Sequence, residues 1–187
     1  VQSYQALTVG SLTISDATTS VTLNGALTSS GAVDIDSGGT IAIDAAASGT
    51  TFAIDGAGVT TIAAGGDITA SGAVTFGGSK SGTLTTSGDI DTTDDNITFT
   101  RAVTLGGAVD IDTTGGSAGD ILFSAAIATG GNNLTLDAGA GGNITLSGAL
   151  TGGGAMTVRD GEVQSYQALT VGSLTISDAT TSVTLNG

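Results

Sequence analysis

The segment that opens the chain, VQSYQALTVGSLTISDATTSVTLNG at 1–25, returns without a single change at 163–187. Chance does not give an identity of that length. Val1 recurs as Val163, so the sequence holds one full period, 1–162, and the opening of the next. A chain of repeats buries its apolar faces repeat against repeat, so a long period directs the search to shorter ones inside it.

A short phrase does recur. An alternating strand is followed by Ala or Gly, an aliphatic-Thr step, a small-residue turn and a second alternating strand ending in Asp. It reads VTLNGALTSSGAVDID from Val21, IAIDAAASGTTFAID from Ile41 and ITFTRAVTLGGAVDID from Ile97. Further copies read ILFSAAIATGGNNLTLD from Ile121, ITLSGALTGGGAMTVRD from Ile144 and VQSYQALTVGSLTISD from Val163. Two degenerate copies lie around Ile62 (IAAGGDITASGAVTF) and Gly82 (GTLTTSGDIDTTD). Between Val21 and its duplicate Val183 this counts eight units of about 20 residues each.

Within a unit, apolar and polar residues alternate, as in strands with one buried face. Val21, Leu23, Leu27, Val33 and Ile35 point in, and Thr22, Thr28, Asp34 and Asp36 point out. No 3.6-residue period appears, and the Thr, Val and Ile content favours strands. Two architectures suit short strands at a fixed spacing, a hairpin-built sandwich and a parallel β-solenoid with one coil per unit. Near-superposable units without regularly placed Asn-Gly hairpin turns favour the solenoid; Asn24-Gly25 suits a solenoid corner as readily as a hairpin. With no Pro, Cys, His or Trp, four Phe and two Tyr, a narrow aliphatic interior also fits better than a wide one. Coils rise by about 4.8 Å, so eight coils make the repeat about 38 Å long. The expectation is an all-β solenoid in which 1–162 is one repeat and 163–187 starts the next. The absence of a signal peptide at Val1 is what an internal stretch of such an array would show.

Charge narrows the function classes. Seventeen acids face Lys80, Arg101 and Arg159 alone. Nucleic acid and anionic membrane surfaces need the opposite sign, and no apolar run reaches membrane-spanning length. Without His or Cys there is no Ser-His or Cys-His nucleophile system in this stretch. Polysaccharide-cleaving sites pair clustered carboxylates with bases, and here the bases are scattered, so no catalysis is expected. Thr-x-Thr pairs at Thr83/Thr85 and Thr98/Thr100 do not recur on every coil, which argues against an ice-binding array.

The phrases GAVDID, GALTGGGAMTV and LTLDAGAGGNITL resemble the repeats of filamentous-haemagglutinin-like adhesins and autotransporter passenger domains, over the whole chain. That resemblance implies a right-handed parallel β-helix and an extracellular or cell-surface fibre. The corresponding function is structural, a fibre of tandem repeats. The alternative is the repeat stalk of an adhesin that binds host, surface or glycan partners with the help of calcium. The partner expected in either case is the chain itself, through continuation, end-to-end stacking or lateral bundling.

Some residues suggest more. Asp16, Asp36, Asp55, Asp112, Asp137, Asp160 and Asp178 each end the second strand of a unit; Asp34, Asp89 and Asp110 form a second set, flanked by Asp91. Equivalent positions in a solenoid stack about 4.8 Å apart, where like charges repel. Calcium, which accepts several carboxylate oxygens in loose geometry, is the candidate cofactor for such a ladder; a solvated corner column held by backbone N–H groups is the plainer alternative. Asn96, Asn133 and Asn143 head Asn-x-Thr sequons just before strands and are candidate glycosylation sites, or simply corner residues. Tyr4 and its duplicate Tyr166 are expected outside, beside Asn24 and Ser147, whereas Phe52, Phe76, Phe99 and Phe123 are expected to stack inside.

The period 1–162 holds 16 acids and three bases. Spread over about 38 Å, that is one net negative charge per about 3 Å, the same order as duplex DNA at one per about 1.7 Å. The chain is therefore expected to stay dispersed at low salt and to bundle with divalent cations. Light scattering across millimolar calcium checks this, and a flat trace counts against cation bridging.

Overall fold

Three-residue strands with the pattern apolar-polar-apolar cannot bury anything against one another within a single turn of chain; they need a turn above and a turn below. The computed structural model describes residues 1–115 and 119–186 and resolves this need with a parallel β-solenoid. Twenty-six strands of two to six residues fall into three sheets of eight, nine and nine strands, with no helix among the described residues. Successive strands visit the sheets in rotation. Val21–Leu23 lies in the first sheet, Leu27–Ser29 in the second and Val33–Ser37 in the third; Ile41–Ile43 then returns to the first, in parallel register on Val21–Leu23.

Coils are tied by main-chain hydrogen bonds along the axis. Val21 N–H donates to Thr40 C=O at 2.9 Å and Asn24 N–H to Tyr4 C=O at 2.8 Å. These ladders place each inward residue over its counterpart one coil away. In the third sheet Ile35, Ile54, Phe76, Phe99, Phe123, Leu146 and Tyr166 form one continuous inward column, each neighbour in register with the next. All seven are buried. Phe76 and Phe99 stack at 5.3 Å between ring centroids, and Phe99 and Phe123 at 4.3 Å, with ring planes within 9° of parallel. Burying such a ring contributes about 1.5–3 kcal/mol. Phe52 is inward too, over Val33 and under Val74.

The repeat spans fewer coils than its phrases suggest. Gln2–Tyr4 starts the first sheet and its identical counterpart lies in Val163–Tyr166, which belongs to the third. Twenty-three strand steps separate them, and at three strands per coil that is seven and two-thirds coils of about 21 residues, not eight of 20. The missing strand can be located. The phrase GTLTTSGDIDTTD supplies only two strands, Leu84–Thr86 in the first sheet and Ile90–Thr92 in the second, and the chain passes straight to Ile97–Phe99 in the third. Phrases before it begin on the first sheet; phrases after it begin on the third.

Tyr166 also departs from expectation. It sits over Leu146, not beside Ser147, and is fully buried; Tyr4 likewise stacks on Leu23, not Asn24, and is half-buried. A one-residue slip in register exchanges the faces of a strand, and the polar Gln-Ser-Tyr sequence carries no apolar marker for the inward parity. The interior accepts the two polar groups because they satisfy each other. Tyr166 Oη donates to Gln164 Oε1 at 2.8 Å, and Gln164 Nε2 donates to Asp178 C=O at 2.9 Å. The Tyr4–Gln2 pair makes the same bond at 2.9 Å.

Removing the hydroxyl with Tyr166→Phe strips buried Gln164 Oε1 of its donor, a loss of about 1–3 kcal/mol. Adding Gln164→Leu to the same chain is expected to return part of that loss. Urea unfolding of the single and double variants measures both.

Candidate functional site

The outward side of the second sheet carries stacked carboxylates. Parity along each strand puts two positions outside, and stacking sorts them into two columns. Asp67, Asp89 and Asp110 share one; Asp91, Asp112 and Asp137 share the other. All six carboxylates are half-buried. The first column is held by the backbone. Asp67 Oδ1 accepts the N–H of Asp89 at 2.9 Å, and Asp89 Oδ1 accepts the N–H of Asp110 at 2.8 Å, each reaching one coil along the axis. Arg159 answers the charge at one end, with Nη2 2.8 Å from Asp110 Oδ2.

In the second column, burial drives the Asp91 carboxyl up to about 6, with Asp112, Asp89, Asp110 and Asp67 adding repulsion in that order. Asp110 is raised by burial as well, against the opposing pull of Arg159. Asp137 is raised by burial, partly offset by the N–H of Gly139, which donates to its Oδ1 at 3.1 Å.

The strand-ending acids expected to stack as a ladder are divided between faces. Asp36 and Asp55 are register partners on the third sheet. Asp112 and Asp137 are partners on the second, with Asp160 following the next strand there. The side chain of Asp16 lies outside the described residues. The two-strand unit at 84–92 separates the groups: positions equivalent in the phrase lie on different sheets before and after it. Most of these acids also have local work. Asp36 pairs with Lys80 Nζ at 2.9 Å. Asp112 Oδ1 accepts the N–H of Thr114 at 2.6 Å, and Asp160 Oδ1 that of Gly161 at 2.8 Å. Among the described residues no three acidic side chains converge as a metal-holding group.

Asp55, expected in the ladder, is by its partners a clamp. Its Oδ1 is 2.6 Å from Nη2 of Arg101, a buried guanidinium whose Nη1 also donates to Gly56 C=O at 3.1 Å. Its Oδ2 accepts the N–H of Ser79 at 2.8 Å and of Lys80 at 3.3 Å. One carboxylate thus ties together three successive coils. Gly77 makes room for this arrangement. Its φ is 115°, and a Cβ there would collide with Thr100 Oγ1. Sequence reasoning missed Arg101, for which a lone Arg after a strand gave no signal beyond its rarity.

The sequon asparagines also serve corners. Asn96 Oδ1 accepts the N–H of Asp120 at 2.7 Å, and Asn133 Oδ1 that of Ala155 at 3.1 Å; both bonds lie at the exposed surface. Asn143 is half-buried, and its Nδ2, the atom a glycan would take, donates to Asp120 Oδ1 at 2.9 Å. Glycan attachment there competes with an existing bond.

No protein-family model matches the chain, no curated protein matches it, and no solved structure matches it.

A carboxyl raised in the fold binds its proton more tightly there than in the unfolded chain. Its stabilising effect is complete below about pH 4 and is lost as pH rises through about 6. Thermal unfolding at low salt is therefore expected at a higher temperature at pH 5 than at pH 7.5. Asp91→Asn should raise the neutral-pH value and flatten the slope.

Proposed function

We propose that the chain is a section of a tandem-repeat β-solenoid fibre of the filamentous-haemagglutinin or autotransporter kind, working outside the cell or on its surface. Its role is structural: to extend, and to form a surface coat, stalk or matrix. The observation that supports this reading best is the placement of the two identical segments in one solenoid. The second copy packs on the coil before it through the same parallel pairing as any other coil, Gln164 on Ile144 and Leu174 on Met156.

The fold suits the task. Stability in such an array sums over coils and their interfaces, so length does not require a new core. Small, polar, acidic outer faces keep a long edge-free surface dispersed, and closure of the backbone ladders along the axis leaves unpaired strand edges only at fibre ends.

The mass of the natural polypeptide under denaturing conditions tests the reading. A value many times the 17.7 kDa of this sequence supports the covalent array; a value near 17.7 kDa overturns it.

A further inference from the structure

The two identical segments, 1–25 and 163–187, occupy different sets of faces. Gln2–Tyr4 lies in the first sheet, Leu7–Val9 in the second, Leu12–Ala17 in the third and Val21–Leu23 in the first. In the second copy, Val163–Tyr166 lies in the third sheet, Leu169 bridges Leu150 of the first, Ser173–Ile176 lies in the second and Ser182–Leu185 in the third. Every strand has moved back by one face. Local structure is otherwise kept, down to the Tyr–Gln hydrogen bond in both copies. The displacement comes from the two-strand unit Leu84–Thr86 and Ile90–Thr92, where the step from Leu84 to Ile97 is little more than half of that from Ile97 to Ile121.

We infer that each period is turned by one face, a third of a turn, relative to the period before it. This rests on the tandem-array reading. In the first copy, Leu27–Ser29 covers Leu7–Val9, Val33–Ser37 covers Leu12–Ala17 and Ile41–Ile43 covers Val21–Leu23. In the turned setting the same sequence covers Leu169 in the first sheet, Leu174 in the second and Val183 in the third. Three periods restore the starting face. Any outward feature, such as the carboxylates of Asp89, Asp91, Asp110 and Asp112, therefore faces each of the three lateral directions in turn along the fibre. A partner approaching from any side, including a second fibre, meets the same surface.

The chain has no cysteine, so introduced pairs report without background. Thr98 is the register partner of Thr75 in the third sheet. If the unit at 84–92 were a whole coil, Ile97–Phe99 would lie in the first sheet on Leu84–Thr86, with Thr98 over Thr85. Oxidation of the chain carrying T75C/T98C is expected to give an intramolecular disulfide, and T85C/T98C is not. The pair T22C/A42C, partners in the first sheet, calibrates the yield. Cross-linking of T85C/T98C, or of neither test pair while the calibration pair reacts, overturns the one-face displacement. A cryo-EM reconstruction of the native fibre then reads the rotation between periods. A third of a turn, added to the twist of the solenoid itself, supports the inference; a rotation explained by solenoid twist alone overturns it and leaves the fibre standing. A short natural chain overturns the array, whereas the cross-links still report the displacement.

Discussion

Everything in this molecule depends on main-chain hydrogen bonds that run along the axis from one coil to the next. They fix the rise, and by fixing the rise they fix who sits on whom. Ile35 must meet Ile54, Phe99 must meet Phe123, and Asp91 must meet Asp112. For apolar residues this is favourable, because like shapes stack and exclude water. For inward polar residues it is tolerable only when a partner arrives in the same strand, which is what the Gln164–Tyr166 pair supplies. For outward carboxylates the pairing is adverse, and main-chain N–H groups and three basic side chains are the means by which the structure meets it.

The architecture was legible in the sequence because its signal is local and repeated. Alternation in VTL, ITF and VDID identifies strands, and Gly-rich steps identify corners. The parallel stacking follows from near-superposable units without regularly placed hairpin turns, and the division of the coil into three sheets is a finding of the structure. Inward placement of the four phenylalanines follows from the same parity. What the sequence did not disclose was a count. GTLTTSGDIDTTD resembles its neighbours closely enough to pass as a whole coil, yet it has two strands where they have three. That single omission divides the expected acid ladder between two faces, and it brings Phe76, at the end of one phrase, under Phe99, at the start of another. Equivalence in sequence and adjacency in space are therefore different relations in this chain.

The charged residues stand out in the sequence, but not for what they do. Arg101 is buried and grips Asp55 across the intervening coil, a long-range relation that no spacing rule anticipates. Asp67, Asp89, Asn96 and Asp120 each accept a backbone N–H from the coil above. In this role Asp and Asn are interchangeable, since both offer a short side-chain oxygen at a corner. The sequons and part of the acidic content thus have a common structural origin in the need to satisfy corner amides.

The duplicated segment is accommodated on either of two sets of faces, so its strands are not tied to one side of the coil. In an array of the kind proposed above, adding or removing a whole period would leave every ladder closed, so length could change in steps without altering any coil.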